Sequence, residues 1–372
     1  VPHPIDDAGR IPSSRRQGEV QQHVMKDAIL RYLATHHAAA LDFWRRPGRQ
    51  ATDAEAPEAS VEQLCDVAYS LHLAGLADEI APDAGVAFAD VLARHRLPGW
   101  RADDTGPSVG LSVHNCAYAF GTLNLLRDTH GDLFQRAVAD RTFRPEELVD
   151  AGTARPKFPR WLAHHNWRVS HWLGGVPSLL WSAGHSALPD AARIRRLARA
   201  SLEATDAWLE AGHGFIRLYR SSAVHRLFRT AYRLRHDPDL GDVGGVAHIL
   251  WVNHVAGRPY IAADRVLARA SDLFQRHRPF METRPYCLDF DVVQIVRTGL
   301  EQTGAPADGN APRAAEMLRD LEAFFASGLT ADYGLHKLPG ALATYHECAA
   351  ICGQHDTPFG PVQDIIRRAC WI

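Results

Sequence analysis

The sequence predicts an all-α fold, specifically an (α/α)6 toroid of six helical hairpins with an inner and an outer ring of helices. Three observations point to it. Apolar residues recur at helical spacing nearly throughout, whereas alternating β-branched and polar runs are almost absent. Segments that are apolar, small and aromatic on most sides alternate with segments carrying one apolar stripe and one charged face. The all-round apolar segments start roughly every 50 to 65 residues, a spacing longer than the common short solenoid repeats and suited to helical hairpins joined by functional loops.

In chain order, residues 1–20 are read as a partly flexible N-terminal extension and 21–372 as a single toroid domain. "HVMKDAILRYLATHHAAALDFWRR" reads as a helix stopped by Pro47 and Gly48. The inner segments are "SVEQLCDVAYSLHLAGL", "SVGLSVHNCAYAFGTLNLL", "WRVSHWLGGVPSLLWSAG", "SSAVHRLFRTAYRL", "CLDFDVVQIVRTGL" and "LPGALATYHECAAICG". A helix that is apolar all round must be covered on most sides, which assigns these six to the inner ring. Stripe-bearing segments such as "ARIRRLARASLEATDAWLE", "RVLARASDLFQRH" and "RAAEMLRDLEAFF" form the solvated outer layer. The last segment, "VQDIIRRACWI", is expected to close against the first helix.

Composition narrows the function classes. With 41 basic and 43 acidic residues the net charge is −2, which gives no reason to expect nucleic-acid binding or a membrane-surface role. No stretch approaches the length of a membrane span, so a soluble cytoplasmic protein is expected, and association into homo-oligomers is left open. Six scattered cysteines without a CxxC pair read as buried thiols. Within "YHECAAIC", Cys348 and Cys352 share a helical face next to His346, but no second ligand pair has standard spacing, so no metal site is assigned there.

In a toroid the amino ends of the inner helices converge on one mouth of the central cavity and present positive partial charge to it. Chemistry should gather there. Asp289 and Asp291 lie in "CLDFDVV" among apolar neighbours, where burial can raise a carboxyl pKa into the useful range, or where one of them can cap the helix. Asp291 is read as general acid and Asp289 as its electrostatic partner. His171 or His225 is the base or proton relay, and Glu347 is a further candidate carboxylate. The substrate-binding set is His114, Trp167, Arg168, Tyr219, Arg220, Arg229, Arg284, Tyr286, Lys337 and Tyr345. Within it Arg220 and Arg284 would clamp an anionic group.

"DFDVV" resembles the Asp-x-Asp-Asp motif of class II terpene cyclases, with Val292 in place of the last aspartate. The resemblance implies an α/α toroid and a proton donated by Asp291 to an alkene or epoxide. "WRVSH", Trp167 to His171, resembles the Trp-Arg-x-x-His haem-ligand segment of the tryptophan dioxygenase family, which would make His171 a proximal ligand. The expected function is acid–base chemistry, by cyclisation, isomerisation or elimination, on a small organic metabolite with no obligatory cofactor. The alternatives are a glycoside hydrolase or lyase acting on a small glycan through Asp291 and Glu347, a haem-dependent oxygenase, and a non-catalytic ligand-binding protein. A divalent metal is kept open beside haem as a cofactor.

Overall fold

A computed structural model describes residues 13–47, 59–102, 109–127, 132–159, 166–209, 227, 230–231 and 238–372. These residues are mostly helical, with two short two-stranded pairings, β1 (Trp100–Ala102) with β2 (Arg141–Phe143) and β3 (Asp356–Thr357) with β4 (Gly360–Pro361). Among the described residues no helix is long and apolar enough to cross a membrane.

The N-terminal stretch breaks into α1 (Ser13–His36) and α2 (Ala38–Arg45) at His37. Next come α3 (Val61–Leu73), α4 (Ala84–Ala93), α5 (Val113–Leu126) and α6 (Leu133–Ala137). Side-chain caps set two starts: Ser60 and Gln63 form a reciprocal capping box ahead of α3, and Ser112 accepts from the Asn115 amide ahead of α5. Pro177, which cannot donate to the preceding turn, divides the third apolar segment into α7 (Asn166–Leu173) and α8 (Gly175–Gly184). The remaining helices are α9 (Ala191–Thr205), α10 (Pro238–Val255), α11 (Ala263–Arg276), α12 (Cys287–Thr303), α13 (Ala311–Ser327), α14 (Lys337–Ile351) and the short α15 (Ile365–Ala369).

The apolar helices pack in a cyclic order. α3 lies against α5, α5 against α8, α7 against α10, α10 against α12, α12 against α14, and α14 returns to α3. The striped helices lie behind them: α2 on α3, α9 on α8, α11 on α12 and α13 on α14, with α1 against α13. α10 was not among the expected inner segments. Its start, "PDLGDVGGVAH", carries three glycines that weaken helix propensity, yet it is buried from Val243 to Trp251 because packing outweighs propensity. The expected segment 221–234 lies almost wholly outside the described residues.

The chain end also departs from expectation. α15 packs against α5 and α10, and Trp371 is fully buried against His114, His248 and Trp251. Gly121 of α5 makes room for this segment, because a Cβ there would stand 2.7 Å from the Trp371 carbonyl oxygen. The Tyr69 hydroxyl donates to that same carbonyl, and Asn124 Nδ2 donates to the Ala369 carbonyl at 3.2 Å. A large apolar ring at the end of the chain is better buried in the interior than laid on the solvated α1.

Candidate functional site

The amino end of α12 separates its two aspartates. Successive helical residues turn by 100°, so positions two apart face nearly opposite ways. Asp289 is the third helical residue. Its Oδ1 accepts the Met281 amide and its Oδ2 the Tyr286 amide, each at 2.8 Å, completing a capping box with Tyr286. Neither aspartate is the N-cap residue. Burial pushes the Asp289 carboxyl up to about 7 against the opposing pull of those two amides and of Arg313.

Asp291 faces α10. A Cβ on Gly244 would stand 3.4 Å from Asp291 Oδ2, 2.8 Å from Leu288 and 3.7 Å from the Trp167 ring, so this glycine creates the space the acid occupies. Asp291 is 2 % exposed and its Oδ1 has no hydrogen-bond partner among the described residues. Burial first, then the neighbouring Asp289, hold its carboxyl well above the usual range. Trp167 lies 6.4 Å from Tyr286, centroid to centroid, and the Lys337 ammonium sits 4.8 Å over the Tyr286 ring. Trp167 and Tyr286 therefore stand near a buried carboxyl whose pKa burial raises.

One turn along α10 from Gly244 stands His248, whose Nδ1 donates to the Gly244 carbonyl at 2.6 Å. It meets two more imidazoles. His114 of α5 and His171 of α7 stack at 4.2 Å and 17°, and His171 lies 4.8 Å from His248. One ring nitrogen from each of the three lies within 4.8 Å of the others. Burial pushes His248 down to about 3 and His114 well below the ordinary range, with neighbouring imidazoles adding to the effect.

A third group joins α3, α5 and the amino tip of α14. Buried Asp66 accepts the Tyr118 hydroxyl at 2.8 Å and His336 Nδ1 at 2.9 Å, with Glu62 3.9 Å from the same imidazole nitrogen. Burial alone would lower the His336 pKa, but the bond to Asp66 and the charges of Asp66 and Glu62 outweigh it and raise the pKa. His336 is partly exposed, and its charge helps to lower the His114 pKa.

The other expected residues are placed as follows. Glu347 faces Arg297, with Nε donating to Oε2 at 2.6 Å, and Arg297 also reaches Asp364 at 2.9 Å. This network lies toward the opposite ends of the helices. The Tyr345 hydroxyl donates to Glu322 of the outer α13 at 2.6 Å, and Arg284 pairs with Asp332 at 2.9 Å on the surface. Arg168 is exposed. Next to Tyr345, His346 Nε2 bonds the Leu73 carbonyl at 2.9 Å, away from Cys348 and Cys352. His225, Tyr219, Arg220 and Arg229 lie outside the described residues.

The geometry thus forms three groups: Asp291 and Trp167 about Gly244, with Tyr286 and Lys337 beside Trp167; His114, His171 and His248; and Asp66, Tyr118 and His336. Asp66, Tyr118, His248 and His336 are additions to the expected set; the first three are ordinary residues inside apolar helices, and only the tip residue His336 carries a positional signal. Comparisons with protein-family models, with curated proteins and with solved structures find no match to this chain.

Proposed function

We propose that this chain is a cytoplasmic enzyme that carries out acid–base chemistry on a small organic metabolite inside an (α/α)6 toroid. Cyclisation, isomerisation and elimination are the reaction types this chemistry serves. The cyclic order of the inner helices supports the toroid, and the free state of all six cysteines supports a reducing compartment. The observation that carries the reading is Asp291, a buried carboxylic acid with one oxygen unengaged among the described residues.

In this reading Asp291 donates the proton, since a carboxyl held neutral at physiological pH is a competent general acid. His336 is the base. Asp66 accepts a hydrogen bond from its Nδ1–H and thereby leaves Nε2 to accept, the arrangement by which a buried carboxylate orients a catalytic imidazole. Trp167 and Tyr286 supply apolar faces for the substrate, and Asp289 holds the 281–286 turn that carries Tyr286.

Carboxyl-selective 13C NMR, with the Asp291 signal assigned by its loss in Asp291→Asn, tests the acid directly. The resonance should stay in its protonated position at pH 7. Titration near pH 4 removes Asp291 as the acid. On any substrate found by screening small alkenes, epoxides and hydroxy compounds, Asp291→Asn should lower kcat by ~100-fold or more.

A further inference from the structure

We propose that His114, His171 and His248 bind a divalent first-row transition ion, zinc or a close neighbour, on the inner wall between α5, α7 and α10. The inference deepens the proposed function by adding a metal one turn along α10 from the glycine that faces Asp291. It rests on that reading only for the metal's role in catalysis.

Three features carry it. The ligand nitrogens come from three different helices and already lie within 4.8 Å of one another. His248 has its Nδ1 proton committed to the Gly244 carbonyl, which turns the Nε2 lone pair outward, and this outer bond is the kind that orients a metal-bound histidine. The helices bearing the ligands are also held in register. A Cβ on Gly174 would stand 2.1 Å from the His248 carbonyl oxygen, so the backbone just after α7 touches that of α10 at one of the ligands.

The donor set selects the ion. Three imidazoles without a carboxylate favour zinc, copper, nickel or cobalt over magnesium or calcium, and a three-histidine set leaves a coordination position for water or substrate. Metal–nitrogen bonds of about 2.0–2.1 Å bring ligand nitrogens to roughly 3.3 Å from one another, so binding draws the rings inward by small side-chain rotations. His114 Nδ1 accepts the Trp371 indole N–H at 3.3 Å. Coordination through that nitrogen replaces the indole bond, which makes Trp371 a reporter.

The full chain, stripped with chelator and dialysed, is titrated with Co²⁺ and Zn²⁺ by calorimetry, visible absorption and tryptophan fluorescence. The expected result is one equivalent of ion per chain, a d–d spectrum of low coordination number with Co²⁺, and an emission change that is lost in Trp371→Phe. His171→Asn and His248→Asn, checked for folding by circular dichroism, should each weaken binding at least ~100-fold, while the distant His95→Ala leaves it unchanged. Absence of a stoichiometric site in the wild type overturns the proposal, and so does binding that folded His171→Asn and His248→Asn both retain. Asp291→Asn should bind the ion with wild-type affinity, so failure of the acid and failure of the metal site are read separately.

Discussion

Asp289 and Asp291 are two residues apart, equally buried, and differ in what their oxygens meet. Asp289 closes a turn. Truncating it to alanine orphans one buried and one part-buried amide, each costing about 1–3 kcal/mol, so Asp289→Ala should lose ~2–5 kcal/mol in urea unfolding, with Asp289→Asn less damaging because one acceptor oxygen survives. His336 shows the opposite kind of control. Its pKa is raised by Asp66, so its contribution to stability is complete below the unfolded value of about 6.5 and is lost as pH rises through the folded value. In Asp66→Asn the His336 imidazole should titrate lower by NMR, and the fall in stability above about pH 6.5 should flatten. The sequence makes the aspartate pair conspicuous, but only the direction each side chain takes tells an anchor from an acid.

At the scale of elements, α10 decides the most. It contributes His248, it opens space for Asp291 through Gly244, and its backbone meets Gly174 at the α7–α8 break. Gly174→Ala would drive a methyl group into the His248 carbonyl, and backbone has little room to retreat. A loss beyond the usual 1–3 kcal/mol of overpacking, or failure to fold, is the expected result in thermal and urea melts. Gly304, at the exposed end of α12 with nothing near its Cβ position, gives the comparison: alanine there is strained only by its φ of +65°. α3, α5, α12 and α14 are legible in the sequence because their apolar spacing, and in α3, α5 and α12 their caps, are local. α10 is not, because its glycine-rich start reads as loop and only its neighbours make it helical.

At the scale of the whole molecule, α15 and the residues after it tie several apolar helices together. Asp364 caps α15 by accepting the Arg367 amide at 3.1 Å, and its other oxygen meets Arg297 and His254. Arg297 and Glu347 complete this junction of α12, α14, α10 and α15, while Trp371 fills the interior below the imidazoles. Burial pushes Glu347 up even though Arg297 opposes it, so the carboxylate depends on its partner for its charge. Arg297→Met should therefore destabilise by ~3–5 kcal/mol, and Arg297→Met with Glu347→Leu should recover most of that loss, as urea midpoints will show. A second mutation that adds to the damage instead would mean that the pair is not the main contribution of Arg297.

The residue pattern by itself determines that this chain is helical, which segments are apolar enough to be covered on most sides, and where an aspartate pair must lose water. These follow from properties that act within one or two turns: periodicity, capping and the cost of burying a charge. Only the tertiary structure decides that α10 packs among the apolar helices, that Trp371 is buried against His114, His248 and Trp251, and that Asp66, His248 and His336 enter the candidate groups. The physical reason is that such placements depend on contacts between residues far apart in sequence, where burial and hydrogen bonding across helices outweigh local preference.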